Sequence, residues 1–196
     1  KLLFSNFYCN LSDFISVLDA DARLLEVGCG AGFSSMKINE LLTTQHFEVS
    51  DYDERYVRRL RESAFPLRVQ QESILALNRE DSSFDCVICL EVLEHIGDFQ
   101  RALSELFRVT RKWVVLSVPN EPLWHILNLA RGMYWREFGN TPGHINHWSP
   151  SKFRRLVSEY GTVYRISLPP PWIMVLAEKK GYCIQDFALN AYKQAE

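Results

Sequence analysis

The sequence has no excess of basic residues, no long apolar run and no regular cysteine framework. A net charge of −2 gives no sign of the positive surface that nucleic-acid-binding proteins carry. No apolar run approaches the ~20 residues of a membrane span, and the first residues do not have the form of a secretory signal. Five scattered cysteines, an odd number, indicate a reducing compartment. We therefore expect a cytoplasmic protein without a transmembrane segment or a nucleic-acid partner.

One cysteine pair, Cys86 and Cys89, has the spacing of a redox or zinc-binding pair. It lies in the apolar segment FDCVICL, which is typical of a buried strand. Side chains of a strand alternate between its two faces, so residues three apart point in opposite directions. The spacing therefore predicts two separate core cysteines.

Short apolar segments alternate with helical patterns, which predicts an α/β domain with a parallel sheet. A helix over 150–160 and two strands over 162–168 and 172–178 end the pattern. Only three prolines separate those last strands, and a gap that short allows an antiparallel hairpin but not a crossover. We expect one domain over residues 1–196, with five earlier strands at 23–27, 46–50, 67–70, 83–90 and 112–118.

The segment LLEVGCGAGF, residues 24–33, carries an acid and then three alternating glycines. Dinucleotide-binding turns have the spacing G-x-G-x-x-G, but here Phe33 stands where the third glycine would be. Glu26 would repel a phosphate and attract an ammonium group. The segment favours a ligand with a cationic amine and no phosphate, and it opposes a nicotinamide-dependent oxidoreductase.

Two further strand ends carry groups that suit the rest of such a ligand. Asp51 ends the second strand, where a carboxylate can accept hydrogen bonds from both hydroxyls of a ribose. Glu72 and Ser73 end the third strand, where they can receive the amino group of an adenine. An amino-acid end, a ribose and an adenine without phosphate describe S-adenosylmethionine.

Four segments together resemble the class I S-adenosylmethionine-dependent methyltransferases, closest to the small-molecule branch with a type 11 or type 12 domain. They are EVGCGAG (26–32), VSDYD (49–53), SFDCVICLEVLEH (83–95) and VLSVPN (115–120). The resemblance covers about residues 24–179. It implies a Rossmann-like three-layer sandwich, with a seven-stranded, mostly parallel sheet and an antiparallel C-terminal hairpin. It also implies S-adenosylmethionine as cofactor and a small-molecule methyl acceptor.

The resemblance further implies which residues contact the cofactor. Glu26 and the glycine turn would hold the methionine end, and Asp51 the ribose. Tyr52 would lie against the adenine, whose edge Glu72 and Ser73 would read, although the family usually has Asp in place of Glu72. The full implied set is Glu26, Gly28, Cys29, Gly30, Gly32, Asp51, Tyr52, Glu72, Ser73, Leu90 and Glu91, the last two beside the reacting centre.

The candidate catalytic residues are Glu91, His144 and His147. A neutral amine acceptor needs no base, whereas a hydroxyl acceptor usually does, because its proton must leave as the new bond forms. Either histidine can serve as that base, or both can simply hydrogen-bond a loop that closes over the cofactor. We expect one of them to line the acceptor pocket, which slightly favours oxygen over nitrogen as the acceptor atom.

A metal-assisted O-methyltransferase is an alternative. Glu91, Glu94 and His95 share one face if their segment is helical, and with a later histidine they resemble the metal set of the ubiquinone-pathway O-methyltransferases and the small-RNA 2′-O-methyltransferases. The same segment occurs in relatives without metal, where Glu94 and His95 hold the loop. We therefore predict no metal site. A non-catalytic scaffold that keeps the cofactor site also remains open.

Residues 120–148 form the insertion where this family varies its acceptor pocket. Its aromatic rings and arginines suit a lid over an aromatic or partly apolar acceptor that carries a carboxylate or phosphate. Use of the same rings in the core or an interface is the alternative, and we expect a monomer or a homodimer. We also expect a short helix over 186–195. The residues of the insertion in question are Trp124, Arg131, Tyr134, Trp135, Arg136, Phe138 and Trp148.

Overall fold

A computed structural model describes residues 2–42, 46–134 and 140–181. Within these ranges the helices are α1 Leu2–Ile15, α2 Phe33–Leu41, α3 Glu54–Glu62, α4 Phe99–Val109, α5 Glu121–Ala130 and α6 Pro150–Tyr160. The strands are β1 Leu24–Val27, β2 Phe47–Asp51, β3 Arg68–Gln71, β4 Phe84–Leu90, β5 Thr110–Pro119, β6 Gly161–Ser167 and β7 Trp172–Lys179.

The described strands form one seven-stranded sheet in the order β3-β2-β1-β4-β5-β7-β6. Strands β1 to β5 pair in parallel, and β7 pairs antiparallel with both β5 and β6. The predicted parallel sheet with an antiparallel C-terminal hairpin is therefore confirmed. Because β1 and β4 are neighbours at the centre, the turns that follow them lie side by side at one edge of the sheet.

Helices cover both faces of the sheet, which gives the predicted three layers. One core contains side chains of α1, α2 and α3, and the other contains side chains of α4 and α6. Cys86 belongs to the first core and Cys89 to the second, and both are fully buried. The prediction that these cysteines point to opposite faces of β4 is confirmed.

Three features differ from the sequence predictions or extend them. Helix α1 was not predicted, and neither was a helix α5 at the start of the insertion. The segment EVLEH is not one helical face, because Glu91 has φ 55° and only Leu93–His95 form a 3-10 turn. Trp135, Arg136, Phe138 and the segment 186–195 lie outside the described residues.

Among the helices in the described part of the chain, none has the length and apolar character to span a bilayer.

Candidate functional site

A cavity of about 270 Å³ lies at the carboxyl ends of β1 and β4. Its size is close to the lower end of the range typical of small-molecule sites, and most of its wall is apolar. Four predicted cofactor residues line it, together with rings from α1 and the start of β7. The lining consists of Phe4, Phe7, Tyr8, Gly28, Cys29, Ala31, Phe33, Ser34, Leu90, Glu91 and Trp172.

The glycine turn after β1 is held against β2. The N–H groups of Gly28 and Cys29 donate to the carbonyl of Ser50, at 2.8 and 3.0 Å. Gly28, Gly30 and Gly32 have φ values of 83°, 53° and 80°, a region that residues with a Cβ rarely adopt. Phe33, at the position where a dinucleotide turn has glycine, is 82% exposed and lines the cavity.

Asp51 connects the glycine turn to the end of β2. Its Oδ2 accepts a hydrogen bond from the N–H of Gly30 at 2.7 Å, and its Oδ1 accepts one from the N–H of Asp53 at 2.8 Å. Each carboxylate oxygen has two acceptor positions, so one remains on each oxygen. The side chain can therefore hold the turn and still accept two hydroxyl donors.

Glu26 lies beneath the cavity and is not one of the residues that line it. It is 1% exposed, and its carboxylate accepts hydrogen bonds from the hydroxyls of Ser34 and Ser35 at 2.5 Å each. Burial raises the pKa of this carboxyl. Ser34 does line the cavity, so Glu26 reaches the site through that hydroxyl.

Among the residues predicted to contact an adenine, one side chain is exposed and two already have partners within the protein. Tyr52 is 75% exposed, and its ring is accessible to a ligand. The Glu72 carboxylate instead lies 2.8 Å from Nε of Arg79, which also pairs with Glu48. The Ser73 hydroxyl accepts a hydrogen bond from the N–H of Leu75 at 3.2 Å. The side chain of Glu72 is thus engaged by an arginine.

Glu91 contributes a carboxyl group to the wall of the cavity. The hydroxyl of Ser117 donates to its Oε1 at 2.7 Å, and the side chain of Trp172 also donates to its carboxylate. Burial raises the pKa of Glu91 to about 8. Burial and the nearby charge of Glu91 raise the pKa of Glu94 to about 9. The folded protein therefore favours the neutral form of both carboxyls near pH 7.

These shifted pKa values predict that the protein loses stability as the pH rises. Between the unfolded value of 4.5 and the folded value of about 8, Glu91 keeps its proton only in the folded state. The free energy of unfolding must then fall with rising pH, by at most about 1.4 kcal/mol per pH unit for one proton. Urea unfolding from pH 5 to 8.5 should show a shallower decline for Glu91→Gln and an unchanged one for the exposed Glu62→Gln. An equal slope in Glu91→Gln would contradict the assignment.

The two predicted catalytic histidines meet at a carboxylate that the sequence analysis did not single out. Nδ1 of His144 and Nδ1 of His147 lie 3.0 and 3.4 Å from Oε1 of Glu121, in the first turn of α5. Neither of these described histidines lines the cavity. Trp124 links these histidines to the cavity wall: its ring centroid lies 6.1 Å from that of His144 and 6.3 Å from that of Trp172, which lines the cavity.

The loop that carries these histidines is also tied to the turn after β4. Nδ1 of His95 lies 2.8 Å from the carbonyl oxygen of Gly143, and the N–H groups of Ile145 and Asn146 donate to the carbonyl of Glu94. The structure thus gives His95 the loop-holding contact that the sequence analysis preferred for it. Glu94, His95 and His144 approach one another, whereas Glu91 is not part of that group.

A sequence model of a methyltransferase domain matches residues 5–164. The chain belongs to this family. The methyltransferase domain is 32% identical over 103 residues to a probable S-adenosylmethionine-dependent methyltransferase of Mycolicibacterium smegmatis, covering 52% of this chain and 39% of the relative. It is 32% identical over 92 residues to a ubiquinone biosynthesis O-methyltransferase of Rickettsia akari, covering 44% of this chain and 35% of the relative. The alignments thus span little more than a third of these curated relatives.

Solved structures agree on the fold of the methyltransferase domain. The magnesium protoporphyrin IX methyltransferase of Synechocystis PCC 6803, solved with bound S-adenosylhomocysteine, superposes with a TM-score of 0.68. The match covers 91% of this chain and 84% of that one, at 15% identity. The predicted class I S-adenosylmethionine-dependent methyltransferase is confirmed, and S-adenosylmethionine is its cofactor.

Proposed function

We propose that this domain transfers the methyl group of S-adenosylmethionine to a small or medium-sized metabolite, with an oxygen acceptor preferred over nitrogen. The observation that carries the proposal is the apolar cavity between the glycine turn and Glu91. It is large enough for part of an adenosyl amino acid, and most of its wall is apolar. A sulfonium is already activated, so positioning in a dry site supplies much of the catalysis.

In this proposal the residues at the carboxyl ends of β1 to β4 each contact a different part of the cofactor. Asp51 accepts both ribose hydroxyls with its remaining lone pairs. The backbone of Gly28 to Gly32, Cys29 included, holds the methionine end, and Glu26 acts on it from below through Ser34. The adenine lies near Tyr52, and the backbone of Glu72 and Ser73 reads its edge because Arg79 occupies the Glu72 carboxylate.

Methyl transfer in line would break the carbon–sulfur bond of S-adenosylmethionine as the carbon–oxygen bond forms, so the hydroxyl proton would need an acceptor. Leu90 and Glu91 border the cavity on the side of the reacting centre. His144 or His147 receives the proton, and Glu121 holds the ring nitrogen in place. The insertion over 120–148 supplies the acceptor pocket, since both histidines lie within it. A cytoplasmic location belongs to the same proposal and is supported by the free thiols Cys9, Cys29, Cys86 and Cys89.

Two measurements test the proposal in sequence. S-adenosylhomocysteine at a hundredfold over its dissociation constant should stabilise the protein by about 2.7 kcal/mol in thermal melting, and NAD should not. Incubation with S-adenosylmethionine labelled in the methyl group and a cell extract should then label one small compound. Label found only in protein or nucleic acid, or none with a bound cofactor, would overturn the proposed metabolite methylation. Once the compound is known, full turnover in both His144→Gln and His147→Gln would remove the histidines from the mechanism.

A further inference from the structure

Four of the five histidines of the chain lie close together, and three of them surround one buried carboxylate. Glu121 is 4% exposed. Its Oε1 faces Nδ1 of His144 and of His147, at 3.0 and 3.4 Å, and its Oε2 lies 2.9 Å from Nε2 of His125. Glu121 and His125 are four residues apart on α5, so they share one face of that helix.

The contact between Glu121 and His125 is close but is not a hydrogen bond. Oε2 and Nε2 are not aligned as acceptor and donor, and neither atom has another hydrogen-bond partner although both are buried. A buried polar atom without a partner is costly, so such a pair needs an explanation. Two ligands of one metal ion, each ~2.1 Å from it, lie ~3.0 Å apart at the right angle of octahedral coordination and ~3.4 Å apart at the tetrahedral angle that Zn²⁺ prefers. The observed 2.9 Å is close to the first value and about 0.5 Å short of the second, so a small side-chain rotation would admit a tetrahedral ion.

We propose that Glu121, His125 and His147 bind a divalent transition-metal ion, which leaves His144 as the histidine that receives the proton in the proposed reaction. One ligand atom from each of the three lies within 4.8 Å of the other two. Two imidazole nitrogens and one carboxylate oxygen suit Zn²⁺ or Fe²⁺, whereas Mg²⁺ and Ca²⁺ prefer oxygen ligands. The side chains of His125 and His147 are 32% and 39% exposed, so an ion can enter and coordination positions remain for water or another ligand.

His144 supports this arrangement from the buried side. Its Nδ1 donates to Oε1 of Glu121 and holds the carboxylate in place, as groups behind metal ligands commonly do. The ring of His144 is itself buried, with Trp124 beside it. The sequence analysis weighed a metal only at Glu91, Glu94 and His95 with a later histidine, and it did not consider Glu121 or His125.

A second set, Glu94, His95 and His144, also has ligand atoms within 4.8 Å of one another. We assign the ion to the first set for two reasons. Nε2 of His95 lies 3.9 Å from Glu94, wider than the 2.9 Å contact on α5. Nδ1 of His144 is already engaged by Glu121. Single substitutions separate the two sets, because Glu94 and His95 belong only to the second.

The test is to titrate the untagged, metal-free protein with Zn²⁺ alone and to measure binding by calorimetry. A second titration uses Co²⁺ in place of Zn²⁺ and measures the visible absorption of the bound ion. One equivalent should bind, and His125→Gln and His147→Gln should each weaken Zn²⁺ binding by about 100-fold or more, since loss of a supporting group alone costs 10–100-fold. His95→Gln and His46→Gln are the matched controls and should retain the affinity. Mg²⁺ should not compete at equal concentration.

Three results would overturn the assignment: no Zn²⁺ bound at micromolar concentration, unchanged affinity in both His125→Gln and His147→Gln, or loss of binding in His95→Gln alone. Because both substituted histidines are partly exposed, their variants should melt within a few degrees of the parent, which checks that they fold. Co²⁺ absorption that disappears in His147→Gln would place that ring on the ion. The test uses no cofactor or acceptor, so its outcome is independent of methyl transfer.

Discussion

Replacement of Asp51 by alanine should weaken binding of S-adenosylhomocysteine by about 100-fold or more. Hydrogen bonds to a charged acceptor contribute about 1.5–3 kcal/mol each, and two ribose hydroxyls would lose theirs. The same carboxylate accepts from the N–H groups of Gly30 and Asp53, so the variant also loosens the glycine turn. Asp51→Asn should bind poorly as well, because its amide group points donors at one of these N–H groups. Calorimetry with S-adenosylhomocysteine measures both effects.

Asp53→Asn is the matched control for Asp51. Asp53 lies two residues further on and accepts from the N–H of Arg55 as the N-cap of α3, a task that asparagine also performs. The affinity of Asp53→Asn for S-adenosylhomocysteine should stay within about twofold of that of the parent. If Asp51→Ala, shown to be folded by its melting curve, bound S-adenosylhomocysteine as tightly as this control, the ribose assignment would be wrong.

Gly28→Ala should be the most destabilising of the single glycine substitutions in the turn. A Cβ at Gly28 would overlap Cγ2 of Val92, a stiff β-branched side chain packed against the core, and φ of 83° adds backbone strain. Overlap costs about 1–3 kcal/mol and the left-handed conformation about 1–2 kcal/mol. We expect a loss of about 2–5 kcal/mol in the free energy of unfolding, measured with urea.

Gly30→Ala separates the two costs. Gly30 has φ of 53°, but a Cβ there would meet no atom within 4 Å, so only the strain of about 1–2 kcal/mol remains. The double variant Gly28→Ala with Val92→Ala should recover the part that comes from overlap, which a double-mutant cycle isolates. Equal losses in Gly28→Ala and Gly30→Ala would show that Val92 makes no difference.

Most of the sheet follows from signals that are local in the sequence. The predicted strands lie within two residues of the observed ones, and α6 begins at Pro150, as the preference of proline for the first helical position predicts. Asp53 and Asp98 each accept a backbone N–H at a helix start, as expected of N-caps. The acids at 26 and 51 were identifiable because each lies at or beside the end of a predicted strand.

The rest of the site depends on contacts between distant parts of the chain. Trp172 meets Phe4 and Phe7, with ring centroids 5.4 and 5.0 Å apart, across more than 160 residues of sequence. A signal for α1 existed, because Phe7, Leu11 and Phe14 have helical spacing and are all buried. The spacing of Glu121 and His125 was likewise visible, but only the fold brings His144 and His147 to them. These contacts between distant residues depend on the topology of the fold, which composition and periodicity do not predict.

Two parts of the described chain that are distant in sequence line the cavity together: rings from α1, and Trp172 at the start of β7, which packs against them. A chain folded only through β5 would already possess the glycine turn and Asp51, yet its pocket would have one open side. A ligand bound in the cavity would then stabilise the docking of β7, because its contact with Trp172 exists only in the complete fold. Ligand binding and the final step of folding would in this way be thermodynamically coupled, each favouring the other.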